Sequence, residues 1–472
     1  MRDHSGPGQF PCLLTDVLRR SVRRHGAPSL PISTAVARSH HPAVGLAFAI
    51  EQARARLATG MPPENDIHTL FIDALAGLIT EAVHATDGDP VFKAMVLRHR
   101  SPVVREHASL NAHVDRDRRA VRTAVNDLAH PEKTRRRSPG PTREALLALH
   151  AAAKADEWPR LYDALILLRD DANMRAEPLL HQGLERLITN AALERLRRLD
   201  ALSSDALVAR HRELLDQRGP VAGSEQAAAR GAGAQQRGDA VEALAAEAFQ
   251  MLVARMNAAA GEARYRTATS LRIPPSFPGD AQRAKSEWDV VLLRRHETPE
   301  PCDDWDICLL VEAKASPDAA TTDLPRLLRG LRLLAQADID TTYVFASADG
   351  DVRLRGASLN ALPTEEGELA RAVLYCCDGR EVRPPRLLSA ASRMQLLSAE
   401  ASLDFAAALE DGASADAQRL IPVWRLLLEA PAFTPVLRQY VTLRAVRELM
   451  VHPGDLQAAV VATTSTALPD SR

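Results

Sequence analysis

The sequence predicts a mainly helical protein carrying one α/β domain, and three observations lead there. Alanine, leucine and arginine dominate a chain whose aromatic content is only 4%, and these residues are the strongest helix formers. Apolar positions recur at helical spacing through most of the chain. Between about 264 and 347 the pattern changes to short alternating or continuous apolar runs, which is strand material. At 472 residues the chain exceeds what one core fills, so two or three domains are expected.

Composition narrows the function classes. Hydrophobic residues at 46% and charged residues at 25% describe ordinary globular material. The formal net charge of −2 gives no global basic field, so nucleic-acid binding would rest on local patches. The five cysteines, Cys12, Cys302, Cys308, Cys376 and Cys377, form no CxxC pair or zinc-spaced cluster and read as reduced thiols. The first residues lack the apolar core of a signal peptide, and runs such as Ala43 to Ile50 are too short to span a bilayer. The expectation is a cytoplasmic protein with no membrane contact. No GxSxG, HExxH or P-loop pattern is present, which argues against a serine hydrolase, a zincin or a built-in ATP motor.

Element by element, Thr15 to His25, Ala43 to Thr59, Asp66 to Ala85 and Arg116 to Leu128 read as helices. The basic, proline-broken stretch Pro131 to Pro141 reads as a loop, after which helical periodicity runs to about Gln217. The Gly-, Ala- and Gln-rich segment 218–238 lacks bulky apolar residues and reads as a flexible linker. An amphipathic helix follows from Asp239 to Asn257, with Val241, Leu244, Ala245, Ala248, Leu252 and Met256 on its apolar stripe. Strands are expected at Arg264 to Ile273, Glu287 to Leu293 and Asp306 to Ala315. A helix at Thr322 to Ala337 carries Pro325 in its first turn, and a strand follows at Thr341 to Ser347. Helical pattern returns from Leu388 to about Val451, and Asp455 onward reads as a frayed tail.

Chemistry concentrates on the two middle strands. Asp289 lies within the second. Glu312 and Lys314 lie two residues apart near the end of the third, so strand alternation places both on one face with Ala313 on the other. Burying such charges costs several kcal/mol each unless something compensates them. A hard divalent cation held by two carboxylates, a backbone carbonyl and waters would do so, and it could activate water against a phosphoryl group. A neighbouring lysine could orient or deprotonate that water, or stabilise the developing charge. Arginine keeps its proton and cannot act as the base. Only five of the 59 basic residues are lysines: Lys93, Lys133, Lys154, Lys285 and Lys314. A lysine here is therefore informative.

The strings SEWDVVLL and WDICLLVEAKAS resemble the PD-(D/E)XK nuclease superfamily, in which a strand Asp is followed by (D/E)xK on the next strand. Asp289, Glu312 and Lys314 take those positions. The resemblance covers roughly residues 238–347. It implies a restriction-endonuclease-like αβββαβ core flanked by helical regions, and Mg²⁺-dependent phosphodiester hydrolysis of nucleic acid, usually DNA, with Mn²⁺ as an alternative ion. It also implies that Asp289, Glu312 and the Ala313 carbonyl bind the metal while Lys314 assists the attacking water. A further glutamate on the first core helix would hold a metal-bound water or a second ion; Glu242 is preferred over Glu247. Departures from the family pattern are Trp288 in place of proline and a long loop between the strands. Rival acids are Asp303, Asp304 and Asp306, and Gln336 is a candidate for the family's helix-borne glutamine.

The expected organisation is a helical region at 1–217 with a break at 131–141, a linker at 218–238, the nuclease-like domain at 239–385, a helical segment at 386–455 and a tail at 456–472. A protein partner or a homodimer would engage through the helical regions. The competing function is an inactive nuclease-fold protein serving as a nucleic-acid-binding or interaction scaffold.

Overall fold

In the computed structural model the described residues are 11–175, 177–217, 219, 225–297, 303–379, 386–413 and 415–465. The protein is mainly helical, with one mixed seven-stranded sheet. Its strands are β1 Tyr265–Arg272, β2 Glu287–Arg295, β3 Asp304–Lys314, β4 Thr342–Phe345, β5 Val352–Arg355, β6 Val373–Cys377 and β7 Met450–Val451. Helices packed on it include α1 Glu225–Ala260, α2 Pro317–Leu334, α3 Gln439–Glu448 and α4 Pro453–Ser465. From α1 to β4 the chain order is helix, three strands, helix, strand.

β1, β2 and β3 form an antiparallel meander, and β3 is its innermost strand. The N-terminal end of β3 pairs in parallel with β5, and its C-terminal end pairs in parallel with β6. β4 pairs only with β5 in the ladder, so the strand beside Glu312 and Lys314 is β6 and not β4.

The apolar residues of β2 and β3 sort onto two faces. Val290, Leu292, Leu309 and Val311 pack under Ala245, Phe249 and Leu252 of α1, with Leu456 of α4 and Leu14 and Val17 of the helix Cys12–Arg20. Val291, Leu293 and Leu310 pack under Leu324, Leu327 and Leu331 of α2, with Val446 of α3. A strand buried on both faces must be apolar almost throughout. This makes the charged end of β3 conspicuous.

The chain divides into two units. The sheet-bearing unit comprises residues 1–75, 221–395 and 424–472; the other comprises 76–220 and 396–423. The second unit is helical, and its core includes Val121, Val125, Leu149, Leu165, Leu184 and Leu193. Its helices start where the sequence offers caps: Asp89, Ser101, Asn190 and Asp205 each accept from backbone N–H groups of the first turn. Asp117, buried, takes a bidentate pair from Arg195 at 2.6 and 2.7 Å.

These findings correct several sequence expectations. Residues 225–238, expected within the linker, belong to α1, because alanine and glutamine sustain a helix without bulky side chains. The remaining linker residues lie outside the described residues, except Gly219. The expected 1–217 region and 386–455 segment are each divided between the two units. Pro131–Arg135 is a short helix rather than loop. Pro325 sits inside α2, which begins earlier, at Pro317 capped by Ser316. Residues 456–465 of the expected tail are helical in α4, which buries Leu456 and Val460. Leu244 is 38% exposed, and Phe249 takes its place on the buried face of α1. Cys308, Cys376 and Cys377 are unbridged thiols; Cys302 lies outside the described residues. Among the described residues no single helix is long and apolar enough to cross a membrane.

Candidate active site

The C-terminal end of β3 gathers the charged residues singled out above. Glu312 is completely buried, and its Oε2 accepts from Lys314 Nζ at 2.9 Å. The shared face predicted by strand alternation is therefore present. Asp289, on β2, lies 18% exposed beside them. Its Oδ2 accepts the Ala313 N–H at 2.8 Å and stands 3.9 Å from Lys314 Nζ. Asp289 is thus tied to the backbone between the other two members.

β1 and β2 are distorted at this point. The ladder still runs unshifted from the Thr269–Val290 pair to the Leu271–Trp288 pair, which sets Ser270 opposite Asp289. Ser270 has φ of +48°, a left-handed conformation that costs a non-glycine residue about 1 kcal/mol or more. Trp288 packs in the α2-side core with Val291 and Leu293, where strict alternation from Val291 would turn it to the other face.

Glu242 of α1 comes to the same end of the sheet. Its Oε1 accepts a long hydrogen bond, 3.4 Å, from Ser270 Oγ. Burial, and then the Asp289 carboxylate, raise its pKa. Glu247 is exposed on α1. Of the two, Glu242 is the one beside Asp289.

Three further residues complete the cluster, and sequence reasoning did not place them there. Lys285, four residues before Asp289, is 4% exposed. Its Nζ lies 2.6 Å from Glu312 Oε2 and 3.8 Å from Asp289 Oδ1. Asp323 of α2 lies 3.5 Å from Lys314 Nζ. Tyr375 of β6 is opposite Glu312 in the parallel ladder and fully buried. The rarity of lysine was a usable signal for Lys285. Asp323 and Tyr375 carried none, since their approach depends on the crossover through α2 and the parallel pairing of β6.

The electrostatics follow from burial. Burial and the Asp289 carboxylate push the Glu312 carboxyl up to about 7, against the pull of Lys285 and Lys314. Burial alone would lower the pKa of Lys314, but Glu312, Asp289 and Asp323 together hold it above the ordinary lysine value. Glu312 Oε1, Asp323 Oδ2 and the Tyr375 hydroxyl make no hydrogen bond. Among the described residues only one other buried side-chain oxygen, Glu366 Oε1, is in that state. Buried polar atoms are normally paired; Asp323 Oδ2 at least faces the Lys314 ammonium, but Glu312 Oε1 and the Tyr375 hydroxyl are left without a partner and mark a place built to hold something polar or charged.

The rival acids are elsewhere. Asp304 pairs with Arg353 at 2.8 Å, Asp306 with Arg355 at 3.2 Å, and Asp303 accepts from the Trp305 indole. All three are at the start of β3 or just before it, roughly 26–36 Å of extended chain from Lys314. Gln336 lies beyond the end of α2, against the backbone of Gly279. Several arginines of the helical unit that could otherwise serve as phosphate contacts have internal partners. Arg198 pairs with Glu106, Arg137 with Glu177 and Arg135 with Glu132, while Arg197 stacks on Tyr162.

Among the described residues no three His, Cys, Asp or Glu side chains are grouped so as to hold a metal by themselves. A cation here would rely on two carboxylates, Asp289 and Glu312, supplemented by backbone and water. The donor chemistry fits a hard cation, because Glu312 offers a buried carboxylate oxygen with no partner. No protein-family model, curated protein or solved structure matches the chain.

Proposed function

We propose that this protein is a Mg²⁺-dependent nuclease of the PD-(D/E)XK type, with a restriction-endonuclease-like core and DNA as the expected polymer. The observation that carries the reading is the convergence of Asp289, Glu312 and Lys314 at one end of the sheet, with Glu312 Oε1 buried and unpaired. The helix–three-strand–helix order that leads through the site supports it as well, with β6 as the strand beside β3 there. Asp289, Glu312 and the Ala313 carbonyl would hold the ion, and Mn²⁺ would substitute for Mg²⁺. When bound, the ion supplies Lewis-acid stabilisation of the phosphoryl group and a more acidic water.

The chain's own residues divide the remaining work. In the metal-free protein Glu312, Asp289 and Asp323 hold the Lys314 pKa above the ordinary lysine value, and its ammonium would orient the water and stabilise developing negative charge. Asp323 holds the Lys314 ammonium in place. The raised pKa of Glu242 suits a group that accepts or relays a proton beside Asp289.

Incubating the purified full-length chain with double-stranded DNA, single-stranded DNA and RNA, in Mg²⁺ or in EDTA, tests the reading. Cleavage of at least one polymer in Mg²⁺ alone is expected. A second reading, an inactive nuclease fold serving as a nucleic-acid-binding or protein-interaction scaffold, is favoured by one observation. Two lysines already neutralise Glu312 at 2.6 and 2.9 Å. That reading requires no cleavage of any polymer and no effect of Mg²⁺ on thermal stability.

A further inference from the structure

Lys285 is held in an unusual way. Its backbone N–H donates to the Arg326 carbonyl at 3.2 Å, and the Arg329 side chain donates to the Arg283 carbonyl at 2.9 Å. Both bonds pin this segment to α2. Gly330 makes the close approach feasible: a Cβ there would stand 2.9 Å from Lys285 Cβ and 3.0 Å from its carbonyl oxygen. The fold therefore delivers one of five lysines in the chain to a buried position between two carboxylates.

The geometry is that of a cation site. A single positive centre sits 2.6 Å from Glu312 Oε2 and 3.8 Å from Asp289 Oδ1, between the two groups that the proposed function assigns to a divalent ion. Lys314 differs, because Asp323 gives it a third carboxylate that does not belong to that pair. The Lys285 ammonium has the Asp289–Glu312 pair and the Trp288 ring, whose centroid lies 5.7 Å from Nζ. Lysine is a compact point charge on a flexible four-carbon stem, so its ammonium can leave while its backbone stays fixed.

We infer that Lys285 is a built-in counter-cation for the Asp289–Glu312 pair and competes with the divalent ion for it. The inference rests on the proposed metal site. In the metal-free protein Lys285 compensates the buried charge of Glu312, and an entering ion must displace its ammonium. Metal affinity is thereby held below what the two carboxylates would otherwise provide. Lys314, anchored by Asp323, stays in place through the exchange.

Calorimetric titration of Mn²⁺ into EDTA-stripped full-length protein tests this without any activity readout. Lys285→Met should bind Mn²⁺ at least about tenfold more tightly than wild type, which corresponds to about 1.4 kcal/mol. Lys285→Arg, which keeps the charge, should stay within about threefold of wild type. If Lys285→Met fails to fold, Lys285→Gln, which removes the charge but keeps a donor, should show the same tightening. Binding by Lys285→Met with none by wild type would also support the inference. Wild-type binding that is unchanged or weakened in the neutral variants overturns it and leaves the metal site standing. No Mn²⁺ binding in any variant overturns the metal site together with the inference.

Discussion

Glu312→Gln replaces the fully buried carboxyl with a neutral group of the same shape, so it isolates the electrostatic role of Glu312 in the fold. The wild-type carboxyl is raised from 4.5 to about 7 by burial and Asp289. Between those values the folded state holds a proton that the unfolded chain has released. Stability from this group is therefore fully present below about pH 4.5 and is lost as pH rises through about 7. At about 1.4 kcal/mol per pH unit, the whole change is about 3 kcal/mol. The amide does not titrate, so wild type should lose up to about 3 kcal/mol relative to Glu312→Gln between about pH 4.5 and pH 8. Urea unfolding in EDTA, followed by tryptophan emission, measures this difference; Trp288 and Trp305 report from the sheet. A wild-type stability that stays constant relative to Glu312→Gln, or increases relative to it as pH rises, would show that the lysines and not burial govern Glu312.

Other perturbations separate the parts of the account. Gly330→Ala should push the Lys285 segment away from α2 and cost about 1–3 kcal/mol in thermal or urea unfolding; an unchanged stability would mean that the close approach is not needed. Glu242→Gln should slow cleavage, whereas Glu247→Gln on the exposed side of the same helix should not, and steady-state rates on a cleaved polymer distinguish them. Asp117→Ala strips the buried partner from Arg195 in the helical unit. It should cost about 1–3 kcal/mol of stability while leaving the cleavage rate of the folded fraction unchanged.

Local chemistry was legible in the sequence where one or two strands sufficed to fix it. Alternation alone placed Glu312 and Lys314 on a common face, and the 2.9 Å contact between them follows directly. Asp289 depended on how the long loop registers β2 against β3, which alternation alone does not set; the ladder, continued one residue from the Val290–Val311 pair, puts Asp289 opposite Glu312. Tyr375 and Asp323 join the cluster through the crossover from β3, by way of α2, to the parallel strand β6. Such long-range pairing leaves no periodic trace in the sequence. The Gly–Ala–Gln stretch before Asp239 was misread because helix propensity needs no bulky side chains. The division into two units was hidden because two of its boundaries, at 75/76 and 423/424, fall within the helices Asn65–Val83 and Ile421–Glu429, where no linker composition marks them.

The central claim is that the Asp289–Glu312–Lys314 cluster cleaves phosphodiesters with a divalent ion, and Lys314→Met tests it most directly. Nuclease activity and the Mg²⁺-induced shift in melting temperature should be measured on the same preparations. The account predicts that wild type cleaves in Mg²⁺ and that Lys314→Met loses at least about a hundredfold in rate, while the Mg²⁺ shift survives because both carboxylates remain. Cleavage retained at the wild-type rate in Lys314→Met, or wild-type protein that neither cleaves nor responds to Mg²⁺, would contradict it.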